Sequence, residues 1–181
     1  MARKKISMNK WIFYPVVIVP VAVIVIIYCV CCYCPVTTVF VLRHAERVDS
    51  SPDSELSEAG LQRAQKLVHV AGEAGISAIF ATEYRRTQQT AQPLADELGL
   101  TVNTDFSMSD VEVLVNHVLS EYSGETVLLV GHSNTVPSII WEFGGTFNNS
   151  PGGIEYDDLF VVTVYRSGSA KVHHLNYGNA I

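Results

Sequence analysis

Val39-Phe40-Val41-Leu42-Arg43-His44-Ala45-Glu46 sets an unbroken apolar run directly against an arginine, a histidine and a glutamate. The run from Thr37 to Leu42 is β-branched and apolar, with Pro35 before it and charge after it. That is the pattern of a strand buried on both faces. Such a strand needs helices above and below it, so this stretch argues for a layered α/β domain.

The chain after it alternates in the same way. Ser57 opens a helix with Glu58 in its first turn, and Leu61, Ala64, Leu67, Val68 and Ala71 recur at helical spacing until Gly72. Ala78 to Ala81 reads as a second strand, followed by a helix through Thr90, Leu94 and Leu98 that Gly99 stops. A third strand is predicted over Leu100 to Thr104, a helix over Ser109 to Tyr122, and an almost pure Val and Leu strand over Thr126 to Val130. A helix from about Val136 to Phe143 and a Gly, Asn and Pro-rich loop precede the last two strands, Leu159 to Tyr165 and Lys171 to Leu175. These flank a Ser167-Gly168 turn as a hairpin. The expected fold is a three-layer α/β/α sandwich with a mostly parallel mixed sheet, the terminal hairpin adding an antiparallel element.

Ligands of such sheets bind beyond the carboxyl ends of the strands, so the residues following each apolar run matter most. The first strand runs into Arg43-His44-Ala45-Glu46-Arg47, the second is followed by Arg85-Arg86, and the strand ending at Val130 is followed by Gly131-His132-Ser133-Asn134. Guanidinium forks beside an imidazole suit a phosphate, whose oxygens they match bidentately and whose charge they stabilise during transfer.

These blocks resemble the histidine phosphatase superfamily, also called phosphoglycerate mutase-like, and they are spread over nearly the whole domain. Its opening signature, a strand entering Arg-His-Gly or Arg-His-Ala with Glu next, is matched at Val39 to Glu46. The second block, Ser-x-x-x-Arg-Ala-x-Gln-Thr-Ala, is followed from Thr82 to Ala91 with Thr82 for Ser and Thr87 for Ala, a register that selects Arg86 over Arg85. The Gly-His block is matched at Val127 to Thr135. The resemblance implies phosphate monoester hydrolysis through a phosphohistidine on His44, with Arg43, Arg86 and His132 completing a phosphate pocket. Arg47 and Ser133 are expected as further phosphate contacts, the latter through backbone donors at a helix start. The expected partner is a small phosphorylated substrate, with neither metal nor cofactor. The alternatives are a phosphate-binding module without turnover and a phosphohistidine phosphatase.

The sequence departs from longer family members in the segment that supplies a carboxylate to protonate the leaving group, which is short here. Asp105, Asp110 and Glu112 lie in that part of the chain, and no local motif singles one out. A rival sits in the third block: Gly131-His132-Ser133-Asn134-Thr135 is one residue from a G-x-S-x-G nucleophile elbow, with Asp157 or Asp158 and His173 or His174 following in order. Thr135 replaces the glycine that permits the elbow, and an esterase would leave the Arg43-His44 block unexplained.

Residues 11–34 are uncharged and dense in Val and Ile, after Arg3, Lys4, Lys5 and Lys10. About 20 apolar residues cross a bilayer. The expectation is a basic cytoplasmic tail over 1–10, a transmembrane anchor over 11–34 and a phosphatase domain over 35–181. By the positive-inside bias, the domain would be extracytoplasmic, or periplasmic in a Gram-negative bacterium. Cys29, Cys31, Cys32 and Cys34 all lie in that segment, so neither disulfide nor thiol catalysis is available to the domain. Residues 35–181 keep 8 of the 12 Lys+Arg against all 18 Asp+Glu, a net charge of −10 that argues against nucleic-acid partners.

Overall fold

The structure, a computed structural model, describes residues 10–33, 35–148 and 153–178. The chain divides into two compact units, residues 1–34 and 35–181.

The first unit holds helix α1 (Lys10–Tyr33). Here the expected membrane anchor and the outward-facing, single-pass topology built on it are corrected: among the described residues, no helix is long and apolar enough to cross a membrane. Within α1, residues 18–30 have described side chains, exposed and largely apolar. Cys29 is a free, exposed thiol in this stretch. Arg3, Lys4, Lys5 and Cys34 lie outside the described residues.

The second unit is a single six-stranded sheet in the order β3-β2-β4-β1-β5-β6. Its elements in chain order are β1 (Pro35–Arg43), α2 (Glu58–Ala71), β2 (Ile76–Ala81), α3 (Arg85–Leu98), β3 (Val102–Asn103), α4 (Val111–Glu121), β4 (Thr126–Gly131), α5 (Thr135–Glu142), β5 (Asp158–Tyr165) and β6 (Ala170–Asn176). β1 pairs parallel with β4, β4 with β2, and β2 with β3, while β5 runs against both β1 and β6. This is the mixed, mostly parallel sheet expected from the alternating pattern.

Strand periodicity divides the core between the two faces. Val39, Val41, Val127 and Leu129 meet α4 and α5 through Val115, Val118, Val136 and Ile140. Their neighbours Leu42, Leu128 and Val130 meet α2 and α3 through Leu67, Ala71, Ala91 and Leu94. The side chain of Ser57 accepts the Gly60 N–H and caps α2, and Gly99, at φ 65°, closes α3 in the left-handed conformation that glycine adopts without strain.

Among the boundaries that differ from the sequence expectation, two have a local side-chain cause. β3 shrinks to two residues because the Asp105 N–H turns back onto Asn103 Oδ1 and ends the ladder. Helix α4 starts at Val111 because the Asp110 carboxylate accepts the N–H and hydroxyl of Ser107, which holds residues 107–110 in a turn.

Register then places the chemistry. Arg43 lies opposite Gly131, and Ala81 opposite Val130, so the residues following β1, β2 and β4 emerge side by side at one edge of the sheet. The N-terminal end of the antiparallel β5 reaches the same edge, since Leu42 pairs with Leu159.

Candidate active site

His44 follows β1 with its backbone N–H bound to Gly131 O at 2.9 Å, and only 4 % of the residue is exposed. Its Nδ1 lies 2.7 Å from Ala45 O. A carbonyl can only accept, so Nδ1 carries the proton and Nε2 keeps its lone pair. Helix α3 steadies this turn: Thr90 Oγ1 accepts the Ala45 N–H at 2.9 Å and donates to Arg86 O at 2.7 Å.

His132, also 4 % exposed, stands with its ring 5.4 Å from that of His44. Arg86 Nη2 lies 3.3 Å from His132 Nδ1, and because a guanidinium only donates, that nitrogen is the acceptor. Nε2 is then protonated and donates to Thr82 Oγ1 at 2.9 Å. Thr82 in turn lies 2.9 Å from Thr87 Oγ1, whose hydroxyl reaches Tyr84 O at 2.7 Å. A chain of two hydroxyls therefore sets the tautomer of His132.

Two arginines enclose the histidines. Arg86 is buried, donates to Pro52 O at 2.7 Å and stacks its guanidinium 4.4 Å from the centre of the Tyr84 ring. Arg43 donates to Ile154 O at 2.7 Å and lies 4.0 Å over the Tyr156 ring. The Nε atoms of both are buried without a hydrogen-bond partner among the described residues, a costly arrangement unless an acceptor arrives.

Burial, followed in effect by the Arg86 charge, pushes the His132 pKa down to about 3. His44 is pushed down to about 4, first by burial and then by Arg43, Arg86 and Arg47, against an opposing contribution from the Ala45 hydrogen bond. Both values lie below that of an unfolded histidine, so as pH falls the unfolded chain takes up these protons first. The stability from keeping the two rings neutral is present above about pH 6.5 and is lost as pH falls toward about 4 and about 3. Urea melts of the chain between pH 7 and pH 4.5 are expected to show falling midpoints, and His44→Phe should flatten that dependence.

Of the remaining expected residues, Arg47 is exposed and reaches His44 only through its charge. Ser133 and Asn134 are exposed ahead of α5, and the His132 N–H is taken by Thr135 Oγ1 at 2.8 Å. Arg85 is exposed and pairs with Glu55. Asp105 and Asp110 hold their own turns and Glu112 is exposed on α4. Glu46 grips Arg63 through both carboxylate oxygens, at 2.6 to 3.0 Å, and serves packing. The elbow rival does not assemble: Asp158 and His174 pair with each other on β5 and β6, while no hydrogen bond among the described residues joins Asp157, Asp158, His173 or His174 to Ser133. No group of three or more metal-ligating side chains occurs among the described residues. Tyr84, Tyr156 and the Ile154 carbonyl border the site without having been singled out in the sequence, and Thr82 and Thr87, noted there only as departures from the second block, border it through their hydroxyls.

Fold and site define an α/β protein whose paired histidines and two buried-edge arginines meet at the carboxyl end of a parallel sheet. Residues 39–113 match the family model of the histidine phosphatase superfamily (branch 1). "Probable phosphoglycerate mutase GpmB" of Yersinia pestis (strain Pestoides F) is 32% identical over 96 residues, covering 48% of this chain and 45% of that protein. The chain thus aligns with less than half the length of the curated relatives it matches. Among solved structures, the protein histidine phosphatase SixA complexed with tungstate is similar at a TM-score of 0.63 with 18% identity, covering 77% of this chain and 96% of that one. The mycobacterial glucosyl-3-phosphoglycerate phosphatase with inorganic phosphate is similar at 0.61 with 17% identity, covering 79% and 97%. The chain is thus similar to the histidine phosphatase superfamily in sequence over residues 39–113 and in fold.

Proposed function

We propose that this protein is a phosphatase of small phosphate monoesters in which His44 is the nucleophile. The observation that carries the reading is the Nδ1 hydrogen bond of His44 to Ala45 O, which leaves Nε2 unprotonated inside a ring of positive charge. Nε2 attacks phosphorus in line, the P–N bond forms as the bond to the leaving oxygen breaks, and the Nδ1–H bond to Ala45 O steadies the charge that the ring acquires. Water then attacks phosphorus, the P–N bond breaks, and inorganic phosphate leaves. The unpartnered Nε–H groups of Arg43 and Arg86 supply donors for the phosphate oxygens, with His132 beside them. Arg47 adds charge at the rim.

Four carboxylates around this edge are engaged elsewhere: Glu46 with Arg63, Glu55 with Arg85, Asp53 with the Arg85 N–H and Glu83 with the Met108 N–H. This favours substrates whose leaving groups need little protonation, aryl phosphates and phosphoramidates such as phosphohistidine among them. Quenching a reaction with radiolabelled phosphomonoester in alkali is expected to leave label on a peptide containing His44. A labelled peptide lacking His44, or base-labile label, would refute the assignment.

A further inference from the structure

β5 is the one strand that runs against its neighbours on both sides, so the turn that leads into it lies against residues far away in sequence. That turn supplies both contacts that hold the Arg43 guanidinium, the carbonyl of Ile154 and the ring of Tyr156, and the same ring lies 5.8 Å from His44. With its Nε unpartnered, Arg43 has no other described hydrogen bond to set its direction.

The turn is itself held by Asp158, a carboxylate only 4 % exposed. Its Oδ2 accepts the Glu155 N–H at 2.7 Å and closes the turn. Its Oδ1 accepts from His174 Nε2 at 2.6 Å and from Asn176 Nδ2 at 3.2 Å, both on β6. The His174 ring stacks on Phe160 with centres 4.6 Å apart and planes inclined by 16°, which fixes the direction of its N–H. A buried carboxylate with three donors aimed at it is a rigid corner, fixed from the turn on one side and from β6 on the other.

We propose that Asp158, held by His174, is a positioning residue that aims Arg43 at the transferring phosphate through the Ile154–Asp158 turn. The inference rests on the phosphatase reading, in which Arg43 binds phosphate. Asp158→Asn keeps the shape and the acceptor for Glu155 but turns a donor toward His174 and Asn176. His174→Phe keeps the stack on Phe160 and removes one donor.

The test is calorimetric binding of orthovanadate, a phosphate mimic, to the full chain, in a double-mutant cycle with Arg43→Ala. Asp158→Asn is expected to weaken vanadate about 10-fold and His174→Phe about 3-fold, the scale of one disturbed hydrogen bond to a charged group. In the Arg43→Ala background both losses should vanish, because their route runs through Arg43. Losses that add undiminished to that of Arg43→Ala would show a merely structural role and overturn the proposal, as would unchanged binding in both variants. Should Asp158→Asn fail to fold, the His174→Phe arm decides alone. If the unsubstituted chain does not bind vanadate, the phosphatase reading itself falls and takes the brace with it, an outcome distinct from additivity.

Discussion

His44→Ala is expected to lower kcat for an aryl phosphate on the order of 10³- to 10⁶-fold, the range seen when an activated nucleophile is removed from a preorganised site. No neighbour can replace it. The other imidazole, His132, has Nε2 committed to Thr82 and Nδ1 facing Arg86. The carboxylates of Glu46 and Glu55 are paired with Arg63 and Arg85. The small volume of alanine leaves the fold's ladder intact, because the backbone N–H of residue 44 still reaches Gly131 O. Steady-state assays of matched, folded preparations check this, and activity retained within about 10-fold would rule out covalent catalysis by this residue.

Arg86→Ala is expected to cost about 10²- to 10³-fold in kcat/KM, as loss of a preorganised donor to a transition-state oxyanion does. Arg86→Lys should recover little, since an ammonium cannot donate at once to Pro52 O and His132 Nδ1 while stacking on Tyr84. The Arg86 charge is among the causes that push the His44 pKa down to about 4. Activity needs the neutral ring, so kcat/KM should hold until pH falls near that value in the wild type. In Arg86→Ala the acid limb should begin at higher pH. Arg85→Ala, one residue away, removes only an exposed pair with Glu55 and should leave kcat/KM within about twofold. A pH profile unmoved by Arg86→Ala, or a larger loss from Arg85→Ala, would contradict the assignment.

Much of the fold was legible because its signals are local. The apolar runs of β1 and β4 and the helical spacing of α2 depend only on residues a few positions apart, and Gly99 stops α3 through its own backbone freedom. The short β3 was overestimated because the Asn103–Asp105 turn that ends it is a side-chain choice, invisible to periodicity. Reading residues 11–34 as a membrane anchor relied on apolarity and length alone, and no helix among the described residues meets those requirements.

What the sequence determined by itself was the set of strand ends carrying Arg43-His44, Arg86 and His132, since a residue following a buried parallel strand can only emerge at the carboxyl edge. What the tertiary structure decided was everything that crosses between elements. The tautomer of His132 was set by two threonine hydroxyls, and Glu46 was drawn to Arg63 on α2. The Ile154 carbonyl reached Arg43 across 111 residues, with Tyr156 beside it, because β5 runs antiparallel and brings the wrong end of its strand to the right edge of the sheet. Strand direction is chosen by which neighbour buries more apolar surface and completes the hydrogen-bond ladder. That choice depends on residues distant in sequence, and no local pattern records it.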